Sequence, residues 1–180
     1  MSTGGRDVWA SQRSGRWELT QLLHGIVVAE LLSPSRDFWL VTPWVSNVGV
    51  LEDTHGRFRQ VNPTGGRQLD LISFLNALLE AGTRVTVVTR TPAQPETAMF
   101  LRSLASACAG LPSAANLRLI GREDLHAKGL LGDEYAVSGS MNFTWRGMHQ
   151  NEELVHFHRD PAKVAWLRER FADEFGDWPG

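Results

Sequence analysis

The chain has 180 residues, a formal charge of −2 and an ordinary globular composition, enough for one domain with a core of its own. It has no overall basic character, so any contact with nucleic acid must come from a local patch. The single Cys108 excludes an intrachain disulfide, no apolar run reaches membrane-spanning length and the first residues lack a signal peptide's apolar stretch, so a cytoplasmic protein without membrane contact is expected.

Residues 1–16 are rich in Gly, Ser and Arg and read as a loosely ordered arm, with 17–180 as a single domain. Trp9 and Trp17 are large apolar groups in that poor setting and are expected to pack on the body or on a partner. Glu18 to Leu32 reads as a helix, with Leu19, Leu22, Leu23, Ile26 and Val27 on one face. It ends at Ser33-Pro34-Ser35, because the residue before a proline avoids helical dihedrals. Phe38 to Val45 is a nearly continuous apolar run, as in a strand buried on both faces, and Pro43 marks where its pairing stops.

Val50 to Gln68 carries Gly56, Pro63, Gly65 and Gly66 together with His55, Arg57, Arg59 and Arg67. A loop this long is either an arginine-bearing flap over a ligand or a solvated excursion. Leu69 to Ala81 predicts a helix with Ile72, Leu75 and Leu79 inward, stopped by Gly82. Arg84 to Thr89 is a β-branched strand. A second helix follows over Glu96 to Ala109 with Leu101, Leu104, Ala105 and Cys108 inward, the thiol serving as a small core hydrophobe. Leu117 to Ile120 is the next strand. Near the end, Asp160-Pro161 starts a closing helix whose inward face carries Val164, Leu167, Phe171 and Phe175. Alternating strands and helices predict an α/β sandwich, a mixed and mostly parallel sheet flanked by helices on both faces.

The chemistry is concentrated between His126 and Glu153. HAKGLLG has the composition of a short strand, and residues two apart on a strand share a face, so His126 and Lys128 are expected to project together. Tyr135 to Ser138 reads as the next strand, with Gly139-Ser140 at its exit. A glycine there lets backbone approach a ligand, and Ser140 and Asn142 offer donors suited to phosphate oxygens. Glu153 opens the strand Glu153 to His158 and is placed to bond the far nitrogen of His126, fixing its tautomer. Phe143 to His149 is a turn or short helix bearing Trp145 and Arg146; Trp145 suits a core or dimer contact better than stacking on a base. His156 and His158 share a strand face with Asp160 following, but a zinc site needs more converging ligands, so no metal and no cofactor is expected.

His126-x-Lys128, four residues, Asp133, then Gly139-Ser140-x-Asn142 resembles the signature of the phospholipase D superfamily. Asn151-x-Glu153 matches the trailing Asn-x-Glu of many members, and Thr42-Pro43-Trp44 is similar to the family's first strand exit. The five residues between Asp133 and Gly139 are one fewer than the family's usual spacing. The likeness is strong over Leu117 to Phe157 and fair over Phe38 to Arg90, and a looser one links the chain to phospholipase D-like proteins of bacterial anti-phage and DNA-modification gene clusters.

The resemblance implies a metal-independent phosphodiesterase in which His126 attacks phosphorus to form a phosphohistidine. Lys128 and Asn142 would hold the equatorial oxygens, with Ser140 and Glu153 in support and Asp133 structural. Double displacement wants a second imidazole for the leaving oxygen, and this chain has a single His-x-Lys. A two-fold homodimer pooling both copies of His126 is therefore expected. Among substrates, nucleic acid (DNA before RNA) is favoured, with Trp44, Arg57, Arg59, Trp145 and Arg146 as contacts. A phospholipase or phosphatidyl transferase, or an accessory subunit working with other proteins, are the alternatives.

Overall fold

The computed structural model describes residues 4–53 and 66–178. Strand β2 (Asp37–Val41), an inner strand of the main sheet, is buried at every position. Phe38 and Leu40 face one side of the sheet, Trp39 and Val41 the other, each side with its own apolar cluster. That explains the unbroken apolar run, although the strand stops at Val41, before Pro43.

The chain enters through β1 (Gly5–Ala10), which pairs antiparallel with the penultimate element. The expected loose arm is thus an edge strand from Gly5 onward. Its alternation holds it, because Val8 and Ala10 are buried in the core while Asp7 and Trp9 point away. Helix α1 (Arg16–Leu32) begins two residues before the predicted start and buries Leu19, Leu23, Ile26 and Val27. It also buries Glu30, whose carboxylate accepts the Ser35 N–H at 2.9 Å and the Ser35 hydroxyl at 2.7 Å.

After β2, β3 (Gly49–Glu52) and β4 (Gln68–Asp70) pair antiparallel on either side of residues 54–65, which lie outside the described residues. Arg57 and Arg59 lie outside the described residues. Helix α2 (Leu71–Glu80) is capped by Asp70, whose side chain accepts the Ser73 N–H at 2.8 Å. It buries Leu71, Phe74, Leu75, Leu78 and Leu79, with Ile72 only partly covered. Strand β5 (Arg84–Arg90) follows, then α3 (Pro95–Cys108) and β6 (Leu117–Arg122). On α3 the buried set is Thr97, Phe100, Leu104 and Cys108; Ala105, expected inside, is exposed.

The second half is β7 (Gly129–Leu131), β8 (Ala136–Gly139), α4 (Trp145–His149), β9 (Glu153–His158) and α5 (Pro161–Phe175). The seven-stranded sheet runs β1-β9-β8-β7-β2-β5-β6. It is mixed: β2, β5 and β6 pair in parallel, and the four remaining pairings are antiparallel. Parallel pairing is confined to strands joined by the helical crossovers α2 and α3, as crossover geometry requires. Side chains of α1, α2 and α3 pack into one cluster, and α5 covers the other face with Val164, Phe171 and Phe175.

Candidate active site

The end of the sheet where β2 and β8 exit and β9 begins opens into a cleft of about 820 Å³. His126, Lys128, Gly139, Ser140, Asn142 and Glu153 all line it, as does Trp44 from the β2 exit. Residues far apart in the chain arrive there because strands running in opposite directions begin and end at this one edge.

His126 and Lys128 are not on a strand. They form the irregular lead into β7, which starts at Gly129. They nevertheless meet, because Lys128 turns back on the chain: its Nζ lies 2.6 Å from the His126 carbonyl and 3.2 Å from His126 Nδ1. Burial pushes the Lys128 ammonium below the usual lysine range, and the nearby Glu153 carboxylate partly opposes that shift. An ammonium only donates, so this contact leaves the imidazole proton on Nε2.

At the β8 exit, Gly139 has φ 151, and a Cβ there would sit 2.1 Å from the Leu154 carbonyl oxygen. Only glycine fits. The tight crossing lets Ser140 join β9: its N–H donates to Leu154 O at 3.1 Å, and its hydroxyl accepts the Leu154 N–H at 3.0 Å. The same hydroxyl donates to Glu153. This differs from the two expectations for these residues. Ser140 spends its single hydroxyl proton on Glu153 rather than holding it for a phosphate, and Glu153, 4% exposed, takes Ser140 rather than the far nitrogen of His126. Asn142 is buried with Oδ1 3.3 Å from the Thr42 hydroxyl, which leaves its amide hydrogens for the cleft it lines.

Asp133 lies in the β7–β8 turn, away from the cleft. It accepts the Arg36 N–H at 2.7 Å, pairs with Arg168 at 3.4 Å, and its own N–H donates to the Ser35 hydroxyl. Trp145 and Arg146 begin α4, both exposed, so Trp145 is not a core residue in this chain. Trp9 and Trp17 do not pack on the body either, at 58% and 73% exposed.

Two residues of the site are ones the sequence did not point to for this cleft: Arg16 fell in the expected arm, and His156 was weighed only beside His158 as a metal ligand. Arg16 sits at the start of α1, yet its guanidinium reaches Gly147 O at 3.4 Å, Met148 O at 3.1 Å and Asn151 O at 2.5 Å. It pins the turn that delivers Asn151 and Glu153. His156 also lines the cleft, and its Nδ1 is 2.7 Å from Asp7 on β1. That hydrogen bond holds the Asp7 carboxyl below its usual range. Among the described residues, no three His, Cys, Asp or Glu side chains converge as a metal site requires.

Fold and cleft together define an α/β protein with imidazole, ammonium and amide groups gathered at one sheet edge, a set matched to a phosphoryl group. A family model described as "Cardiolipin synthase, PLD-like domain" matches residues 57–175, and the chain belongs to the phospholipase D superfamily. Among solved structures, it is similar to Nuc, a phospholipase D family member from Salmonella typhimurium, at 15% identity and TM-score 0.59, covering 96% of this chain and 93% of that one. NucT from Helicobacter pylori aligns at 9% identity and TM-score 0.55, over 96% of both chains. Phosphatidylserine synthase from Haemophilus influenzae aligns at 16% identity and TM-score 0.55, over 94% of this chain and 37% of that one. No curated protein matches at the sequence level. Membership in this superfamily supports a phosphodiester-active enzyme, and among the described residues no helix is long and apolar enough to cross a membrane.

Proposed function

We propose that the chain is a metal-independent phosphodiesterase that cleaves nucleic acid, DNA before RNA, through a phosphohistidine. The observation that carries this reading is the convergence of His126, Lys128, Ser140, Asn142 and Glu153 on one open cleft. An entering phosphate draws the Lys128 ammonium off His126 Nδ1, and the imidazole proton passes through solvent from Nε2 to Nδ1, which frees the Nε2 lone pair. His126 Nε2 then attacks phosphorus, the bond to the leaving oxygen breaks, and that oxygen takes a proton from a second imidazole. The second imidazole, now neutral, takes a proton from water as the water oxygen attacks phosphorus and the P–N bond breaks. Lys128 and Asn142 hold charge developing on the equatorial oxygens, while Asp133 holds the hairpin in place. His126 is exposed in the single chain, which leaves its ring open to a second copy across a two-fold axis, so the working unit is a homodimer with two His126 rings at one site.

The test is incubation with plasmid, single-stranded DNA and RNA in excess chelator. Cleavage that survives chelation and disappears in His126→Ala supports the reading; cleavage that persists in His126→Ala refutes it. Sedimentation at micromolar concentration is expected to give a dimer, and a strict monomer would leave the mechanism without its acid. The family description and the phosphatidylserine synthase likeness favour one alternative, phospholipase or phosphatidyl transfer. Turnover of labelled phosphatidylcholine with every nucleic acid left intact selects it.

A further inference from the structure

Tryptophan normally buries its large ring, yet here several indoles are exposed; Trp166 stands apart on α5, and the others sit on segments that border the cleft. Trp44 lines it. Trp9 is the register partner of Leu154, another lining residue, and stands on the face of β1 opposite the buried Val8 and Ala10. Partners across an antiparallel pair bring their Cβ atoms to about 4.5–5.5 Å, so the Trp9 indole rises beside the cleft wall. Trp145, 55% exposed, opens α4. That helix is pressed onto Asn142, since a Cβ on Gly147 would meet the Asn142 carbonyl oxygen at 2.2 Å. Trp17 is the neighbour of Arg16, whose guanidinium holds the Asn151 carbonyl at the cleft rim.

The exposed aliphatic side chains are elsewhere: Leu32 ends α1, Met99 and Leu111 lie on and just after α3, and Leu119 is on the edge strand β6. Beside the cleft, α4 therefore carries a flat aromatic ring next to the Arg146 guanidinium, near groups suited to a phosphate, with Glu152 the exposed acid of the lining. Resting on the nuclease reading, we infer that the substrate is a single strand whose unpaired bases stack on Trp9, Trp44 and Trp145 while its backbone ester enters the cleft. A duplex keeps its bases stacked on one another and offers these rings no partner, whereas every unpaired base has a face to give them.

Binding is measured apart from cleavage, using His126→Ala protein in chelator at one fixed salt concentration. The ligands are a fluorescent single-stranded oligonucleotide and a hairpin duplex of the same sequence. Stacking predicts that Trp9→Ala and Trp145→Ala each weaken single-strand binding about 5- to 150-fold. Duplex binding changes less than about threefold, Trp9→Phe and Trp145→Phe restore most of the single-strand affinity, and Trp166→Ala, outside the rim, matches the parent. Equal losses on both ligands, no loss on either, or conversion of a dimer to a monomer by the same substitutions would overturn the inference and leave the nuclease reading standing. Loss of chelator-resistant cleavage in the unsubstituted protein would instead strike the nuclease reading itself.

Discussion

Removing the Ser140 hydroxyl tests how the site is held together. Glu153 is almost wholly buried, and the hydroxyl donated by Ser140 is the partner the structure gives its carboxylate. Ser140→Ala leaves that charge without its donor. A hydrogen bond to a buried charged group contributes about 1.5–3 kcal/mol, and the Leu154 N–H, which also loses an acceptor, sits next to water and recovers one there. For a domain of this size the melting temperature should fall by roughly 3–12 °C. The clean measurement is a double-mutant cycle by urea denaturation with Ser140→Ala, Glu153→Ala and the pair. The two residues touch, so a coupling of about 1.5–3 kcal/mol is expected. A coupling within about 0.5 kcal/mol of zero would show that Glu153 finds its stabilisation elsewhere, and the account of the β8–β9 junction would fall with it.

Asp37 and Arg84 give a pH-dependent counterpart at the opposite end of the strands. Burial alone would raise the Asp37 carboxyl, but the Arg84 contacts at 2.5 and 2.9 Å and the Arg36 contact at 3.0 Å leave it below its usual value. Its stabilisation is therefore full above the ordinary carboxylate range and is lost as pH falls through the lower folded value. Arg84→Ala should cost about 3 kcal/mol at pH 7, the low end for a broken buried pair because Arg36 remains, and the gap in urea midpoint between parent and variant should close in acid; a gap independent of pH refutes the pairing. Arg16→Ala should speed amide exchange over residues 147–154 ahead of the rest of the chain, with Arg16→Lys restoring only part, and uniform exchange would deny the clamp. On the proposed mechanism the Lys128 ammonium is the form that holds phosphate, so the alkaline limb of the rate profile should lie below the usual lysine range. Lys128→Met should remove that limb and lower turnover about 10²- to 10³-fold; an unchanged limb would assign it to another group.

The order of site residues was legible because each was a polar or glycine residue at a strand exit or entry, and the structure gathers them at one cleft. The core was legible where apolar residues had no ambiguity, as in Asp37–Val41 and the Asp160-Pro161 start of α5. What was not legible depended on contacts distant in sequence. Glu30 carried no signal of burial, because the Ser35 that meets its carboxylate lies beyond the end of the helix. Arg16 looked like part of a polar arm, and Ala105 fitted the helical period but fell beyond the edge of the covered face. His126 and Lys128 meet through a backbone turn that strand periodicity does not describe. The pairing of β1 had too little apolar content to announce itself.

That pairing has a practical bearing on how the protein is cut for experiments. The family match begins at residue 57, yet β1 lies against β9 from Ala10–Glu153 to Gly5–His158, and α1 and β2 supply much of the interior. A fragment trimmed to the matched region would bare one side of β9, discard the inner strand β2 between β7 and β5, and leave the Glu153 end of the sheet unsupported.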